Sequence, residues 1–334
     1  MMIAGGGLAG LAAGCGLAGR GLRVELHEAG GYPRHRVCGE FVCGVEKGVL
    51  ERLGIGACFE GGVFLQDMAW FHRGRRVWSG VLPRRAVGIS RFLLDARLAG
   101  HFENLGGSLR TGSRLEDRER ENLLWCAGRP KSGGPWVGLK AHFEALVPVA
   151  DLEMHLGSSG YVGLSRIEGG RVNVCGLFSA RAVRGRGAGS ALAAVCRSCG
   201  LEGLADRLDS ATLVAGSAHA VAGFRMGWRG PLNAGACGAR IGDAVAMIPP
   251  FTGNGMSMAF ESAMDAVEIL GTPGLGRGEA CAGLRRRLRR RFASRVRLAC
   301  SLHPFLLHGV GQLLLCMAAQ SRLLPVSRLF QALR

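Results

Sequence analysis

Gly5-Gly6-Gly7-Leu8-Ala9-Gly10 follows a four-residue apolar run, Met1-Met2-Ile3-Ala4, and opens a segment built from Leu, Ala and Gly that reaches Gly19. The apolar run reads as a buried strand and the segment after it as a buried helix. Gly5, Gly7 and Gly10 have the spacing that turns a strand tightly into a helix: the first permits the turn, the second admits a pyrophosphate, and the third lets helix pack on strand. Leu8 and Ala9 then sit in the first helical turn, whose N–H groups face the phosphates. Leu22-Arg23-Val24-Glu25-Leu26-His27-Glu28 alternates apolar and polar residues as a second strand would. Glu28 falls eighteen positions after Gly10, near the spacing of the acid that holds adenosine ribose hydroxyls. In a chain with 55 glycines, one such motif alone is weak.

A second motif lies more than two hundred residues on. Asn233 to Ile241 reads as an approach strand, followed by Gly242-Asp243-Ala244 and Pro249-Pro250-Phe251-Thr252-Gly253-Asn254-Gly255. From Met256, apolar residues recur at Ala259, Phe260, Ala263, Val267 and Leu270, a helical spacing. Asn254 or Thr252 is a candidate cap for that helix. Its free N–H groups and positive end suit the pyrimidine edge of a flavin, and Asp243 suits ribityl hydroxyls. Together the two motifs describe opposite ends of one long dinucleotide, which makes FAD the expected cofactor.

With these residues in place, the chain resembles FAD-dependent oxidoreductases of the para-hydroxybenzoate hydroxylase fold, and within them the geranylgeranyl-reductase-like branch. Tyr32-Pro33-Arg34-His35-Arg36-Val37-Cys38-Gly39-Glu40-Phe41 is similar to the branch's loop in which a Cys-Gly approaches the isoalloxazine. Gly88-Ile89-Ser90-Arg91-Phe92-Leu93-Leu94-Asp95 is similar to a helix start carrying an arginine near the flavin. Trp125-Cys126-Ala127-Gly128-Arg129 resembles the strand returning to the FAD domain, with Gly-Arg where Asp-Gly is frequent. The resemblance spans roughly residues 1–270, with 133–227 matching mainly in general pattern. It implies an α/β fold in which an FAD-binding Rossmann-like domain of the GR2 type is interleaved with an antiparallel-sheet substrate domain, plus C-terminal helices. The implied parts are 1–72, 88–130 and 231–275 for FAD, 73–87 and 131–230 for substrate, and 276–334 for the helices. The implied cofactor contacts are Gly5, Gly7, Leu8, Ala9, Gly10, Glu28, Arg36, Cys38, Gly39, Arg91, Gly128, Gly242, Asp243, Pro250, Gly253, Asn254, Gly255 and Met256, with Cys38 also the candidate catalytic residue.

The sequence departs from the family between Gly107 and Trp125, where only Ser108 to Leu124 stands in place of a small β-meander. The tryptophan-rich motif of flavin-dependent halogenases is absent, and Trp136 and Trp228 stand alone, which argues against halogenation. No second G-x-G-x-x-G is evident, so NAD(P)H is expected only as a transient reductant.

Composition narrows the partners. At 334 residues and 48% hydrophobic, the chain can bury a large core. Only Lys47, Lys131 and Lys140 are lysines, so the +17 charge is an arginine excess, which reads first as a compositional bias scattered over a solvated surface. With 6% aromatics and no stacking motif, a nucleic-acid partner is excluded. Expected instead is a small apolar substrate, with an acidic carrier protein or an anionic membrane surface as candidate macromolecular partner. The cysteines are scattered singly and no signal peptide precedes the first strand, so a cytoplasmic chain is expected, with a membrane-peripheral location as its variant. Cys196-Arg197-Ser198-Cys199 lacks a second pair or a nearby His, so no metal is expected.

Trp136–Phe143, Leu152–Leu156 and Gly160–Arg166 with Arg171–Leu177 alternate as antiparallel strands. By resemblance this sheet roofs the flavin, with His142, His155 and Tyr161 as candidate proton donors. In the tail, Arg285-Arg286-Arg287-Leu288-Arg289-Arg290-Arg291 precedes an apolar run from Phe305 to Ala319 that is short for a membrane span. It reads as helices packed on the core, or as a basic and apolar element lying on a membrane. The resemblance implies reduction of a C=C bond of an isoprenoid or polyketide-like, carrier-bound or free, substrate by reduced flavin N5. The alternative is a monooxygenase that hydroxylates an aromatic or polyketide substrate through a C4a-hydroperoxide. A third reading is a degenerate flavin-binding protein, motivated by the short first strand and the abbreviated 108–124 segment.

Overall fold

The computed structural model describes residues 1–46, 48–116, 122–129, 133–183, 191–229, 238–321 and 332–333. The strands are β1 (Met2–Ala4), β2 (Glu25–His27), β3 (Phe41–Val42), β4 (Val63–His72), β5 (Arg75–Gly88), β6 (Ser108–Arg110), β7 (Leu123–Trp125), β8 (Gly134–Glu144), β9 (Leu152–Gly157), β10 (Gly160–Arg166), β11 (Val172–Ser179), β12 (Thr212–Leu213), β13 (His219–Gly223), β14 (Gly227–Trp228), β15 (Ala239–Arg240) and β16 (Ala246–Met247). The α-helices are α1 (Leu8–Ala18), α2 (Val49–Arg52), α3 (Arg91–Asn104), α4 (Ala180–Val183), α5 (Ala191–Ser198), α6 (Glu202–Asp209), α7 (Gly255–Leu270), α8 (Arg277–Leu302) and α9 (Gly309–Gln320).

Two sheets organise the molecule. The smaller is parallel, in the order β15-β7-β1-β2-β6, so the first strand of the chain lies at its centre. β1 is buried because β2 and β7 flank it, and α1 covers it with every residue of the helix inside. A helix apolar all round is a core helix, which agrees with the Leu/Ala/Gly reading. Of the approach strand expected over 233–241, Ala239–Arg240 pairs with β7, while residues 233–237 lie outside the described residues.

The larger sheet runs β12-β8-β11-β10-β9-β4-β5-β3, with β13 also on β8. The expected strands over 136–177 form here as β8 to β11, each antiparallel to its neighbour in the order given. β4 joins β9 in parallel. The boundary at residue 72 is therefore corrected: Val63–His72 belongs to the large sheet rather than to the cofactor part, because its backbone is consumed by β5 and β9.

Alternation gives this sheet two faces. Leu139, Ala141, Phe143, Val162, Leu164, Val172 and Val174 pack outward on α5 and α6, with Val195, Cys196, Leu204 and Leu208. The Cys196 and Cys199 pair is buried there, and among the described residues no group of three or more His, Cys, Asp or Glu side chains could hold a metal. The opposite face carries His142, Asn173 and Ser165 in one row across β8, β11 and β10. Lys140, Cys175 and Gly163 form the next row, and Gly138, Leu177 and Tyr161 the third.

Glycine spacing is decisive at one junction. A Cβ on Gly10 would lie 2.0 Å from the carbonyl oxygen of Gly5, and Gly5 itself has φ +100°. We predict that Gly10→Ala, though helix-favouring by propensity, lowers stability by about 1–3 kcal/mol through this clash; an unchanged urea midpoint would remove the packing role assigned to this glycine.

Candidate active site

The two glycine motifs meet in space. A Cβ on Gly242, which has φ +62°, would stand 2.9 Å from the Ala9 side chain, and α1 packs directly on α7. Two helix N-termini thereby converge. α1 begins at Gly7, where a Cβ would meet nothing within 4 Å, and the N-cap contributes no side-chain bond. α7 begins after Asn254, again without a side-chain cap. The expected capping by Asn254 or Thr252 is thus corrected: the Asn254 amide donates to the Leu333 carbonyl at 2.8 Å, and the Thr252 hydroxyl accepts from the Asn254 N–H at 3.3 Å. Both helices keep first-turn N–H groups for a ligand. Gly253 has φ +66° and packs against Phe41, and Gly255 is open. Met256 is buried under this turn, and Pro250 starts the short 3₁₀ turn before it.

Glu28 lies beside the first motif. Its carboxylate accepts from the N–H of Gly6 at 2.7 Å and of Gly30 at 3.0 Å, and pairs with Arg34 at 2.5 Å. Burial alone would raise its pKa, but the Gly30 N–H, Arg34, Arg36 and the Gly6 N–H together hold it below the usual carboxylate range. Arg36 reaches Asp95 at 3.0 Å, and Arg91 grips the same carboxylate with two bonds of 2.6 and 2.8 Å. Fully buried Asp95 thus ties both predicted arginines together. Its place four residues after Arg91 on one helix was a legible signal for that pair. Gly128 has φ +73° and open space beside it, and Asp243 is exposed.

The Cys38–Glu40 loop is spread on the polar rows of the large sheet. Asn173 donates to the Cys38 carbonyl at 3.0 Å and Ser165 to the Gly39 carbonyl at 2.6 Å. Glu40, buried and at φ 57°, accepts from Lys140 at 3.1 Å, from the Arg91 N–H at 3.0 Å, and meets His142 Nε2 at 2.5 Å. Burial works against its charge, yet the His142 hydrogen bond and the Lys140 ammonium hold its pKa down. Lys140 also touches His35 Nδ1 at 3.0 Å. Burial pushes the Cys38 thiol up, opposed by Arg91, so at neutral pH it is a thiol and not a thiolate.

Beyond these rows the same face turns apolar. Trp70, Met154, Leu156, Tyr161, Leu177, Phe224, Met247 and Leu306 form one cluster that includes Phe251 of the second motif. Its polar members are Tyr161 and His303, 3.4 Å apart, with His303 stacked on Phe251. Burial pushes the Tyr161 phenol well up and lowers His303 to about 4, so both are uncharged at neutral pH. Trp70 Nε1 is buried without a partner. His142 and Tyr161 therefore lie on the same sheet face as the Cys38–Glu40 loop. His155 does not: it bonds Glu153 at 2.7 Å, which is held by Arg207 of α6 on the far face. Sequence reading missed Glu40, Lys140 and His303, since only their convergence in space gives them meaning.

No protein-family model and no characterised protein sequence matches the chain. Solved structures do. The flavin-dependent brominase Bmp2 aligns at TM-score 0.78 and 15% identity over 99% of this chain and 92% of its own. Klebsiella pneumoniae HpxO, as a variant complexed with FAD, aligns at 0.74 and 18% over 99% and 98%. Pseudomonas aeruginosa PqsL in complex with 2-aminobenzoylacetate aligns at 0.72 and 15% over 99% and 98%. At these identities the likeness is one of fold, and the chain has the α/β flavoprotein fold of the para-hydroxybenzoate hydroxylase type.

His303 also sets a pH dependence. Its folded pKa of about 4 lies below the unfolded 6.5, so the unfolded chain binds the extra proton first as pH falls. Stability is therefore full above about 6.5 and declines toward pH 4, by up to about 3 kcal/mol from this residue. Urea titrations across that window should show the decline in the wild type and a flatter profile in His303→Gln; identical slopes would contradict the assignment.

Proposed function

We propose that the chain is an FAD-dependent oxidoreductase that uses oxygen to hydroxylate an apolar, aromatic or polyketide-like substrate, with NAD(P)H as transient reductant. The residues fit FAD on structural grounds. Two uncapped helix N-termini converge, the Gly7 and Gly255 cradles are open where a Cβ would intrude, and acids stand at both ends, Glu28 and Asp243. The N–H groups of α1 would hold the pyrophosphate, and those of α7 the pyrimidine edge. Glu28 would take ribose hydroxyls once Arg34 swings away from its Oε1. When bound, the flavin supplies the redox and oxygen chemistry, and the protein supplies orientation and electrostatics.

The observation that carries oxygenation over double-bond reduction is the uncharged aromatic cluster next to Phe251. A reductase must protonate a substrate carbon, yet Tyr161 and Cys38 are both held protonated by burial and His303 is held neutral. A phenol and a thiol whose pKa is raised are weak acids, and His303 is not an imidazolium at neutral pH. A dry, neutral wall suits oxygen activation, since it excludes water and bulk protons. Support also comes from the neighbours: PqsL is described as a probable FAD-dependent monooxygenase and Bmp2 as a flavin-dependent brominase. The geranylgeranyl-reductase-like reading rests on Cys38, whose thiol lies beside Arg91.

Two measurements test the proposal. Purified protein should carry a flavin spectrum, and Asp243→Ala should weaken FAD binding by roughly tenfold or more through loss of charged hydrogen bonds. After anaerobic NADPH reduction, product should form only when oxygen is admitted. Turnover of an unsaturated substrate without oxygen, abolished by Cys38→Ala, would replace oxygenation with the reductase reading.

A further inference from the structure

Helix α9 is amphipathic in the wrong sense for a packed tail. Its inward face is Gly311, Gln312, Cys316 and Ala319, whereas Val310, Leu313, Leu314 and Met317 are 74, 54, 54 and 56% exposed. The spacing i, i+3, i+4, i+7 makes one continuous outward stripe, and exposed Phe305 lies just before the helix. The helix is not free to roll the stripe inward. Gln312 Nε2 donates to the carbonyls of Gly157 at 2.8 Å and Leu306 at 2.7 Å, and Gly311 leaves only 2.7 Å between its Cβ position and the Phe305 backbone. A fixed apolar stripe of this kind marks an interaction surface.

The charge of the C-terminal segment that carries it selects the partner. From Ala280 to Arg334 the chain holds eleven arginines and no aspartate or glutamate. On α8, which leads into α9 through the His303–Leu306 turn, Arg287, Arg291 and Arg295 are consumed by Asp265, Glu268, Glu46 and Glu261. Arg285, Arg286, Arg289, Arg290 and Arg297 are exposed, and none of them is ion-paired among the described residues. A second copy of this chain would bring positive charge against positive charge.

We propose that α9 docks on an anionic lipid bilayer. The Val310–Met317 stripe enters the boundary between headgroups and acyl chains, and the free arginines of α8 meet the lipid phosphates. The position also gives the docking a purpose. Leu306, Leu307 and Leu315, from the turn and from α9 itself, pack into the cluster that holds Trp70, Tyr161 and Phe251. A bilayer-dissolved apolar substrate would reach that cluster along the helix that rests in the membrane. This consequence rests on the proposed function; the docking does not.

Flotation of the full-length protein with phosphatidylcholine vesicles, with and without phosphatidylglycerol, tests the docking without reference to turnover. The wild type should float with the anionic vesicles and be released by high salt. A Leu313→Ser/Leu314→Ser/Met317→Ser variant should partition roughly tenfold or more weaker. Arg286→Gln and Arg290→Gln should each weaken anionic binding by about fivefold. Since all these side chains are exposed, unchanged thermal melting separates lost docking from lost folding. No flotation of the wild type, equal flotation of the triple-serine variant, or a wild-type dimer that the variant turns into a monomer without vesicle binding would each overturn the proposal. Flotation by a protein that carries no flavin would leave the docking standing while removing the proposed function.

Discussion

The approach of Gly10 to the Gly5 carbonyl is the contact on which the rest of the structure depends. It lets α1 lie directly across β1, so the N-terminus of α1 opens beside the end of the central strand. Gly5 in turn leaves no room for a Cβ against Ala127, which places β7 and Gly128 on the other side of the same opening. Gly242 completes the set by standing against Ala9. Close backbone approach at these glycines, rather than any single hydrogen bond, brings segments more than two hundred residues apart to one cleft. The entropic cost of glycine in the unfolded chain is accepted at the places where a methyl group would push the elements apart.

A second constraint is the buried charge that joins the two sheets. Glu40 belongs to the loop between β2 and β3, while Lys140 and His142 belong to β8, and both acid and lysine are fully shielded from water. Desolvating such a pair costs about as much as the attraction returns, so it adds little net stability. Removing one partner is another matter, because it strands the other charge inside the protein. The pair therefore specifies geometry: together with Asn173 and Ser165 it fixes the carbonyls of Cys38 and Gly39 on the sheet. The left-handed backbone of Glu40 is held by the same contacts. Next to it the face turns apolar, so one sheet surface presents a charged anchor for the loop and a neutral aromatic wall beside it.

Much of this architecture was legible in the sequence, for a physical reason. Tight strand-to-helix turns demand glycine at set intervals, and a helix buried all round must be apolar all round, so the Gly5–Gly19 segment could be read directly. Period-two alternation over 136–177 likewise announced an antiparallel sheet with two faces. Other features were not legible. His142 and His155 occupy the same kind of strand position, yet the first meets Glu40 and the second meets Glu153 on the opposite side. Period two distinguishes the faces within one strand, but it does not say which face of β9 aligns with which face of β8. In the sequence Lys140 is simply one of three lysines, and its burial follows only from a partner a hundred residues upstream. Asn254 looked like a cap because of its type and place; a carbonyl from the far end of the chain claimed its amide instead.

The tail shows how far composition alone can lead. An arginine run followed by an apolar run is compatible both with packed helices and with a membrane-resting element; in the structure α8 packs on the core and α9 carries an exposed apolar stripe. α8 packs Leu284, Leu288, Phe292 and Val296 into the core, and three of its arginines find acids on α7 or nearby. Among the described residues no single helix is long and apolar enough to cross a membrane. α9 packs through glycine, glutamine, cysteine and alanine with half-buried Leu315, keeping Val310, Leu313, Leu314 and Met317 outside. Packing of this kind buries little apolar area per residue, so burial is not what set the composition of its outer face. Leucine, valine and methionine on that face lower solubility without adding to the core. Such a face is explained by what it touches, and the inner side of the same helix touches the aromatic wall beside the second glycine motif.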